Sequence, residues 1–235
     1  MAGASGWVSV VGEDLDLARH LPPARLEEVR RAGVARLAFV STGEWSPPER
    51  MPAEAGGLGL LVLDGVLVRL VSIGEREGLE LFGPGDLARP GAPTGGSFVP
   101  AQVRWSAISP VRLAVLDARF TARMCDYPEV IDALAGRIER RAFSHALRFA
   151  IVQHPRLAMR LHLLLWELAE RFGREQAEGV VLALALSHAR LAQLVGARRP
   201  SVSRALKELE WAGVLARCPD GSWWVGRKPL EDVPG

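Results

Sequence analysis

Several residue types are scarce in this sequence, and each shortage narrows what the chain can be. Cysteine occurs only twice, as Cys125 and Cys218, with no C-x-x-C pair. That excludes a disulfide framework and a cysteine-ligated zinc or iron–sulfur site, and makes a reducing cytoplasm the natural setting. No apolar run approaches the roughly 18 residues that span a bilayer, and the opening residues Met1 to Trp7 lack the basic and apolar regions of a signal peptide. Neither secretion nor membrane insertion is expected. The P-loop, G-x-S-x-G and H-E-x-x-H patterns are also missing, and the glycine-rich stretch 91–96 is not followed by Lys-Ser/Thr. No enzyme is expected, and no cofactor. Lys207 and Lys228 are the only lysines among 29 basic residues, a bias that runs through the whole chain, reads as codon usage and carries no functional weight.

What is present is ordinary globular material. The 235 residues are 49% hydrophobic and 24% charged with a net charge of +2, enough for one large domain or two modest ones. Residues 13–36 have a helical rhythm through Leu15, Leu17, Leu21, Leu26, Val29 and Val34, interrupted by Pro22-Pro23, and two short helices fit it. From Leu37 to Leu116 the pattern changes to short apolar runs separated by Gly and Pro, the signature of an antiparallel β-domain. Asp64-Gly65 between two runs reads as a hairpin turn, Gly83-Pro84-Gly85-Asp86 as another tight turn, and the segment from Arg89 to Pro100 as a loop.

A short helix is expected from Asp117 to Met124, then a long one opening at Pro128 and running to His154. Its apolar residues recur at steps of three and four, with Arg137, Arg140, Arg141 and Arg148 assigned to the remaining surface. Such a stripe suits pairing with a second copy of the chain; packing on the β-domain is the other reading. A further helix, Pro155 to Phe172, ends at Gly173 and opens a separate domain.

The most informative segment is Leu186 to Val225. Ser187 is suited to cap a helix from His188 to Val195, Gly196 makes a turn, and Pro200 sits in the first turn of a second helix with Val202, Leu206 and Leu209 on its apolar face. The other face carries Ser201, Ser203, Arg204 and Lys207, with Arg198 and Arg199 at its start. After Gly213, Asp220-Gly221 between short extended runs predicts a β-hairpin wing. Eight Lys/Arg against three carboxylates give Ser187–Leu230 a charge of +5, leaving −3 for the rest of the chain. Each element alone has an ordinary reading, a solvated helix end or a common hairpin. In this order and with this charge they read as a winged helix-turn-helix, whose second helix enters the major groove.

The run Leu191-Ala192-Gln193-Leu194-Val195-Gly196-Ala197-Arg198-Arg199-Pro200-Ser201-Val202-Ser203-Arg204 resembles the helix-turn-helix of the CRP/FNR regulators, and the order of parts is similar along nearly the whole chain. The resemblance implies an α+β protein. Residues 1–127 would form an N-terminal antiparallel β-roll of the cyclic-nucleotide-binding type, 128–154 a long dimerisation helix and 155–235 a C-terminal winged helix. It also implies a homodimer paired through the long helix, with Ile131, Leu134, Ile138, Ala142, His145, Phe149 and Val152 as contacts.

By the same resemblance Arg199, Ser203 and Arg204 match positions that read bases, while Arg198, Ser201, Lys207, Arg217 and Arg227 are expected to hold phosphates. Two departures stand out. Pro200 replaces the glutamate common in the family, so a different half-site is expected. The Gly-Glu and Arg that hold a cyclic phosphate are missing after Gly85-Asp86, with Ala101 near the place of that arginine and Arg89 or Arg104 the nearest substitutes, so the usual cAMP binding is not expected. His20, His145, His154, His162 and His188 are scattered; His145 could ligate a metal, but a lone helical histidine is more often a packing or surface residue. The expected function is a bacterial, cytoplasmic, DNA-binding transcription regulator. Its expected partners are double-stranded DNA, a second copy and, where it activates, RNA polymerase. The alternative is a module that senses an unidentified small-molecule effector, with DNA binding secondary.

Overall fold

The computed structural model describes residues 6–47, 56–90 and 99–227. The chain divides into two compact units, one built from residues through Gly74 with Glu80–Phe143, the other from Glu75–Leu79 with Ser144 onward.

The first unit contains two antiparallel sheets. One has the order β1-β2-β9-β4-β7, formed by β1 (Trp7–Ser9), β2 (Val34–Val40), β9 (Val111–Leu116), β4 (Gly59–Asp64) and β7 (Leu87–Ala88). The other has the order β3-β8-β5-β6, from β3 (Gly43–Trp45), β8 (Gln102–Ala107), β5 (Leu67–Ile73) and β6 (Arg76–Phe82). Strands β4 and β9 are nearly continuous apolar runs because both their faces are covered. Side chains alternate across a strand, so Leu60, Val62, Leu113 and Val115 enter the core between the sheets with Phe82 and Trp105. Leu61, Ala114 and Leu116 face a helical layer with Phe120, Met124, Val130 and Leu134.

That layer is formed by α1 (Val10–Glu13), two 3-10 turns (Leu15–Ala18 and Pro23–Arg25), α2 (Leu26–Ala32), α3 (Ala118–Met124) and the start of α4 (Pro128–Gln153). The expected helices before residue 36 are therefore cut shorter, and Val34 and Arg36 belong to β2, paired with Ser9 and Trp7. Asp117 caps α3 by accepting from the Phe120 N–H at 2.8 Å. The Asp64-Gly65 hairpin is not formed, because β4 and β5 lie in different sheets. The turn instead carries the chain from one sheet to the other. Gly65 has φ +79°, and a Cβ there would lie 2.0 Å from the Pro110 carbonyl oxygen. Gly83–Asp86 is the expected tight turn, closed by the Asp86 carboxylate accepting from the Gly83 N–H at 2.8 Å. Residues 91–98 of the expected loop lie outside the described residues.

Helix α4 has the length foreseen, but of the four arginines assigned to its surface only Arg140 is exposed. Arg137 donates to Asp14, at 2.7 Å to Oδ1, and to the Gly85 carbonyl at 3.1 Å. Arg141 reaches Glu80 and Asp86, the latter at 3.0 Å, and lies 3.6 Å over the Phe82 ring. Leu134 is buried in the core of this unit, and Ile131 packs against that core. Of the seven interface residues expected, Leu134 is therefore taken up within its own chain, and Ile131 is half-buried there. Ile138 and Phe149 are exposed, at 53% and 68%, as are Ala142 and His145, while Val152 is half-buried. Exposed Ala135 stands where Leu134 was expected, so positions 131, 135, 138, 142, 145, 149 and 152 lie on one helical face at alternating steps of four and three.

The second unit packs α5 (Leu157–Phe172), α6 (His188–Val195) and α7 (Arg199–Trp211) against a sheet of order β10-β11-β13-β12. Its strands are β10 (Gly173–Gln176), β11 (Gly179–Leu182), β12 (Leu215–Arg217) and β13 (Trp223–Gly226). The wing strands β12 and β13 pair as expected from Asp220-Gly221. The β10–β11 hairpin was not foreseen, and it extends the wing to four strands by pairing β11 with β13. The last part of α4 is joined to α5 through Glu167, which accepts from Ser144 and, at 3.0–3.2 Å, from Arg148.

Candidate nucleic-acid interface

The interface is built from two short helices whose inner faces are apolar and whose outer face is basic. In α6 the buried residues are Leu191, Ala192, Leu194 and Val195; in α7 they are Val202, Ala205, Leu206 and Leu209. Burying each of these leucines and valines contributes about 1.5–3 kcal/mol, which holds the two helices together without help from the exposed charges. Ser187 caps α6, accepting from the Arg190 N–H at 3.3 Å. Gly196 ends it in the left-handed conformation at φ +65°, with the Ala197 N–H bonded to the Ala192 carbonyl at 2.9 Å. Pro200 lies in the first turn of α7, where its missing N–H leaves no intrahelical bond unmade.

This arrangement leaves Arg198, Arg199, Pro200, Ser201, Arg204 and Lys207 exposed along one side of α7 and its amino-terminal end. None of the four cations forms an ion pair with a carboxylate among the described residues. A helix amino terminus adds its own partial positive charge, so the start of α7 favours an anion.

The other expected contacts are less free. Ser203 is half-buried; its hydroxyl lies 2.8 Å from His188 Nδ1 and 3.2 Å from the Arg199 carbonyl oxygen. Arg217 turns back on its own domain, donating to the Leu186 carbonyl at 3.1 Å with its guanidinium 4.3 Å from the Trp223 ring. The buried Trp223 indole also faces that carbonyl, at 3.4 Å. Arg217 thus fastens the wing to the start of the helix-turn-helix. Arg227 pairs with Glu175 of β10 at 3.4 Å, both side chains largely exposed, and such surface pairs contribute roughly 0–1 kcal/mol. Lys228 lies outside the described residues.

Sequence reasoning set His188 among scattered histidines, yet it is the first residue of α6 and touches a candidate reader in α7. Burial lowers its pKa from the usual imidazole value, and the charges of Arg217 and Arg199 lower it further against a weaker opposing effect of Glu210. It is therefore largely neutral near pH 7.

Residues 156–223 match the model of the Crp-like helix-turn-helix domain. No curated protein matches the chain. Among solved structures, a CRP/FNR-family transcriptional regulator from Thermus thermophilus is 24% identical, with 84% of this chain and 95% of that chain covered and a TM-score of 0.56. A cyclic nucleotide-binding domain containing protein from Listeria monocytogenes is 16% identical over 81% of this chain and 88% of that one, with a TM-score of 0.65. The c-di-GMP-responsive global regulator CLP of Xanthomonas campestris is 17% identical over 93% of this chain and 100% of that one, with a TM-score of 0.59. An apolar-backed helix pair with a basic outer face and a β-hairpin wing make residues 156–223 a Crp-like helix-turn-helix domain, in a chain that shares the fold of these three structures.

Proposed function

We propose that the protein is a homodimeric, sequence-specific DNA-binding transcription regulator that does not depend on the usual cAMP contacts. The observation that carries this reading is the exposed row of Arg198, Arg199, Arg204 and Lys207 at the amino-terminal end and along one side of α7, none of them in an ion pair among the described residues. Arg199 and Arg204 read base edges, where a guanidinium can bond both acceptors of a guanine, and Ser203 adds a single polar contact. Arg198, Ser201 and Lys207 hold phosphates and set the register of the helix in the groove. Arg217 and Arg227, each held by its own domain, contribute less.

Dimerisation through α4 is supported by the exposed apolar residues Ile138, Ala142 and Phe149, which in a monomer would leave a hydrophobic stripe in water. His145 lies on the same face. Two such copies would present their recognition helices to half-sites about one DNA turn, or ~34 Å, apart.

The β-roll argues against a cyclic phosphate. Among the described residues, Phe82 and Trp105 pack between its sheets with ring centroids 5.3 Å apart and aliphatic neighbours around them. The arginines over these rings, Arg69 and Arg141, are both paired with Glu80.

The test is to incubate the purified, nucleotide-free protein with randomised duplex DNA at physiological salt and sequence what is retained. A two-fold symmetric motif supports the reading, and its half-site reports what Pro200 does to base preference. Recovery of no motif refutes ligand-independent DNA reading. Calorimetric titration with cAMP is expected to give no micromolar binding.

A further inference from the structure

His188 belongs to neither of the residue groups assigned to bases and phosphates, yet it makes a short side-chain contact with one of the readers. Its Nδ1 lies 2.8 Å from Ser203 Oγ, whereas the alternative acceptor for that hydroxyl, the Arg199 carbonyl oxygen, is 3.2 Å away. A serine hydroxyl has one hydrogen and two lone pairs. With the imidazole proton on Nε2, Nδ1 is an acceptor 0.4 Å nearer than the Arg199 carbonyl oxygen and competes with it for the hydroxyl hydrogen, leaving the lone pairs of Ser203 for another donor.

The surroundings keep His188 uncharged, which leaves one of its ring nitrogens able to accept. The Trp223 ring of β13 lies beside it at 6.1 Å between centroids, tilted by 32°. The charged groups facing it are Arg217 from β12, Arg199 from α7 and, with the opposite sign, Glu210 from α7. Two cations against one carboxylate, together with burial, keep the ring uncharged.

We propose that His188 is a positioning residue for base recognition: by accepting the Ser203 hydroxyl hydrogen it makes Ser203 an acceptor, and so selects the class of base edge read at that position. In the major groove adenine and cytosine present amino hydrogens, while guanine and thymine present carbonyl oxygens. A serine whose hydrogen is held by His188 favours adenine or cytosine; one whose hydrogen has only the longer 3.2 Å contact with the Arg199 carbonyl oxygen can turn it to either class. This inference rests on α7 being the reading helix.

The experiment is selection from randomised duplexes at pH 8 with the wild-type chain and with His188→Ala, His188→Asn, Ser203→Ala and the His188→Ala/Ser203→Ala double variant, each first shown to melt cooperatively. The wild type is expected to prefer an amino-bearing base at one half-site position. His188→Ala should reduce the ratio of amino-bearing to carbonyl-bearing bases there about tenfold, the scale of one hydrogen bond in base discrimination. His188→Asn places a carbonyl oxygen where Nδ1 stood and should restore the wild-type ratio. In the Ser203→Ala background, His188→Ala should change nothing at that position.

A His188→Ala protein that keeps the wild-type preference at every position, or loses affinity equally for all sequences, overturns the proposal, because a purely structural or phosphate-holding histidine behaves that way. If the wild type selects a motif whose base choice Arg204→Ala relaxes at one position, the DNA reading stands whatever His188 does. If the wild type selects none, the DNA reading fails and this inference fails with it.

Discussion

Replacing Arg148 with alanine tests how the last turns of α4 are fastened to α5. The Glu167 side chain is 5% exposed and that of Arg148 12%, so the pair is largely out of water. Arg148 supplies three of the hydrogen bonds to this carboxylate, at 3.0–3.2 Å; without it the carboxylate keeps only the Ser144 hydroxyl. Removing one member of a buried pair costs about 3–5 kcal/mol, because the remaining charge stays desolvated without its partner. The retained Ser144 contact points to the lower end, about 3 kcal/mol. With a urea dependence of about 2 kcal/mol per molar, the unfolding midpoint should fall by about 1.5 M, read from the fluorescence of Trp166 and Trp223. Replacing both partners with apolar residues, as in Arg148→Met/Glu167→Leu, should recover most of the loss, since no charge is then left buried. A fall below about 0.5 M in Arg148→Ala, or a double variant as unstable as the single one, would refute the claim that water is kept from this pair.

Three further outcomes follow from the same geometry. Arg204→Ala should weaken binding to the selected site by about 1–3 kcal/mol and relax base choice at one position, whereas Lys207→Ala should weaken all sequences alike and reduce the salt slope by about 1; fluorescence anisotropy across a salt series separates them. The His162 imidazole of α5 is 1% exposed, neither ring nitrogen has a partner among the described residues, and burial lowers its pKa. Its folded pKa thus lies below the unfolded value of about 6.5, so the unfolded chain takes up a proton that the folded one excludes and stability is lost as pH falls below about 6.5. Urea midpoints at pH 8 and 5.5 should therefore differ more for the wild type than for His162→Leu, and equal differences would exclude the histidine as the cause. Gly65→Ala should lower the melting temperature far more than Gly196→Ala: both glycines have positive φ, but a Cβ at Gly65 collides with the Pro110 carbonyl oxygen while one at Gly196 meets open space. The second change costs only the roughly 1–2 kcal/mol of a left-handed residue.

The elements readable from the sequence were those specified by neighbouring residues. Ser187, Gly196 and Pro200 delimit α6 and α7 through caps and turns that act over a few positions, and the outer residues of α7 are charged because its inner stripe is apolar. The long helix from Pro128 was legible for the same reason. Side-chain partners brought from far along the chain were not. Arg137, Arg141 and Arg148 look like surface charges until folding places Asp14, Glu80 and Glu167 against them, across 123, 61 and 19 residues. Leu134 belonged to an apolar stripe by spacing, and only the helical layer over β4 and β9 turned it inward and left Ala135 on the exposed face. Asp64-Gly65 kept its turn chemistry but not its hairpin, since the strand each side joins depends on sheet order. The contact between His188 and Ser203 spans 15 residues and two helices, and no spacing rule predicts it. Local chemistry in the sequence determined the helix-turn-helix and its charge; which charges remain available, which apolar face stays exposed and which way a reading hydroxyl points were decided only by tertiary packing, because each depends on a partner that the chain brings close only when folded.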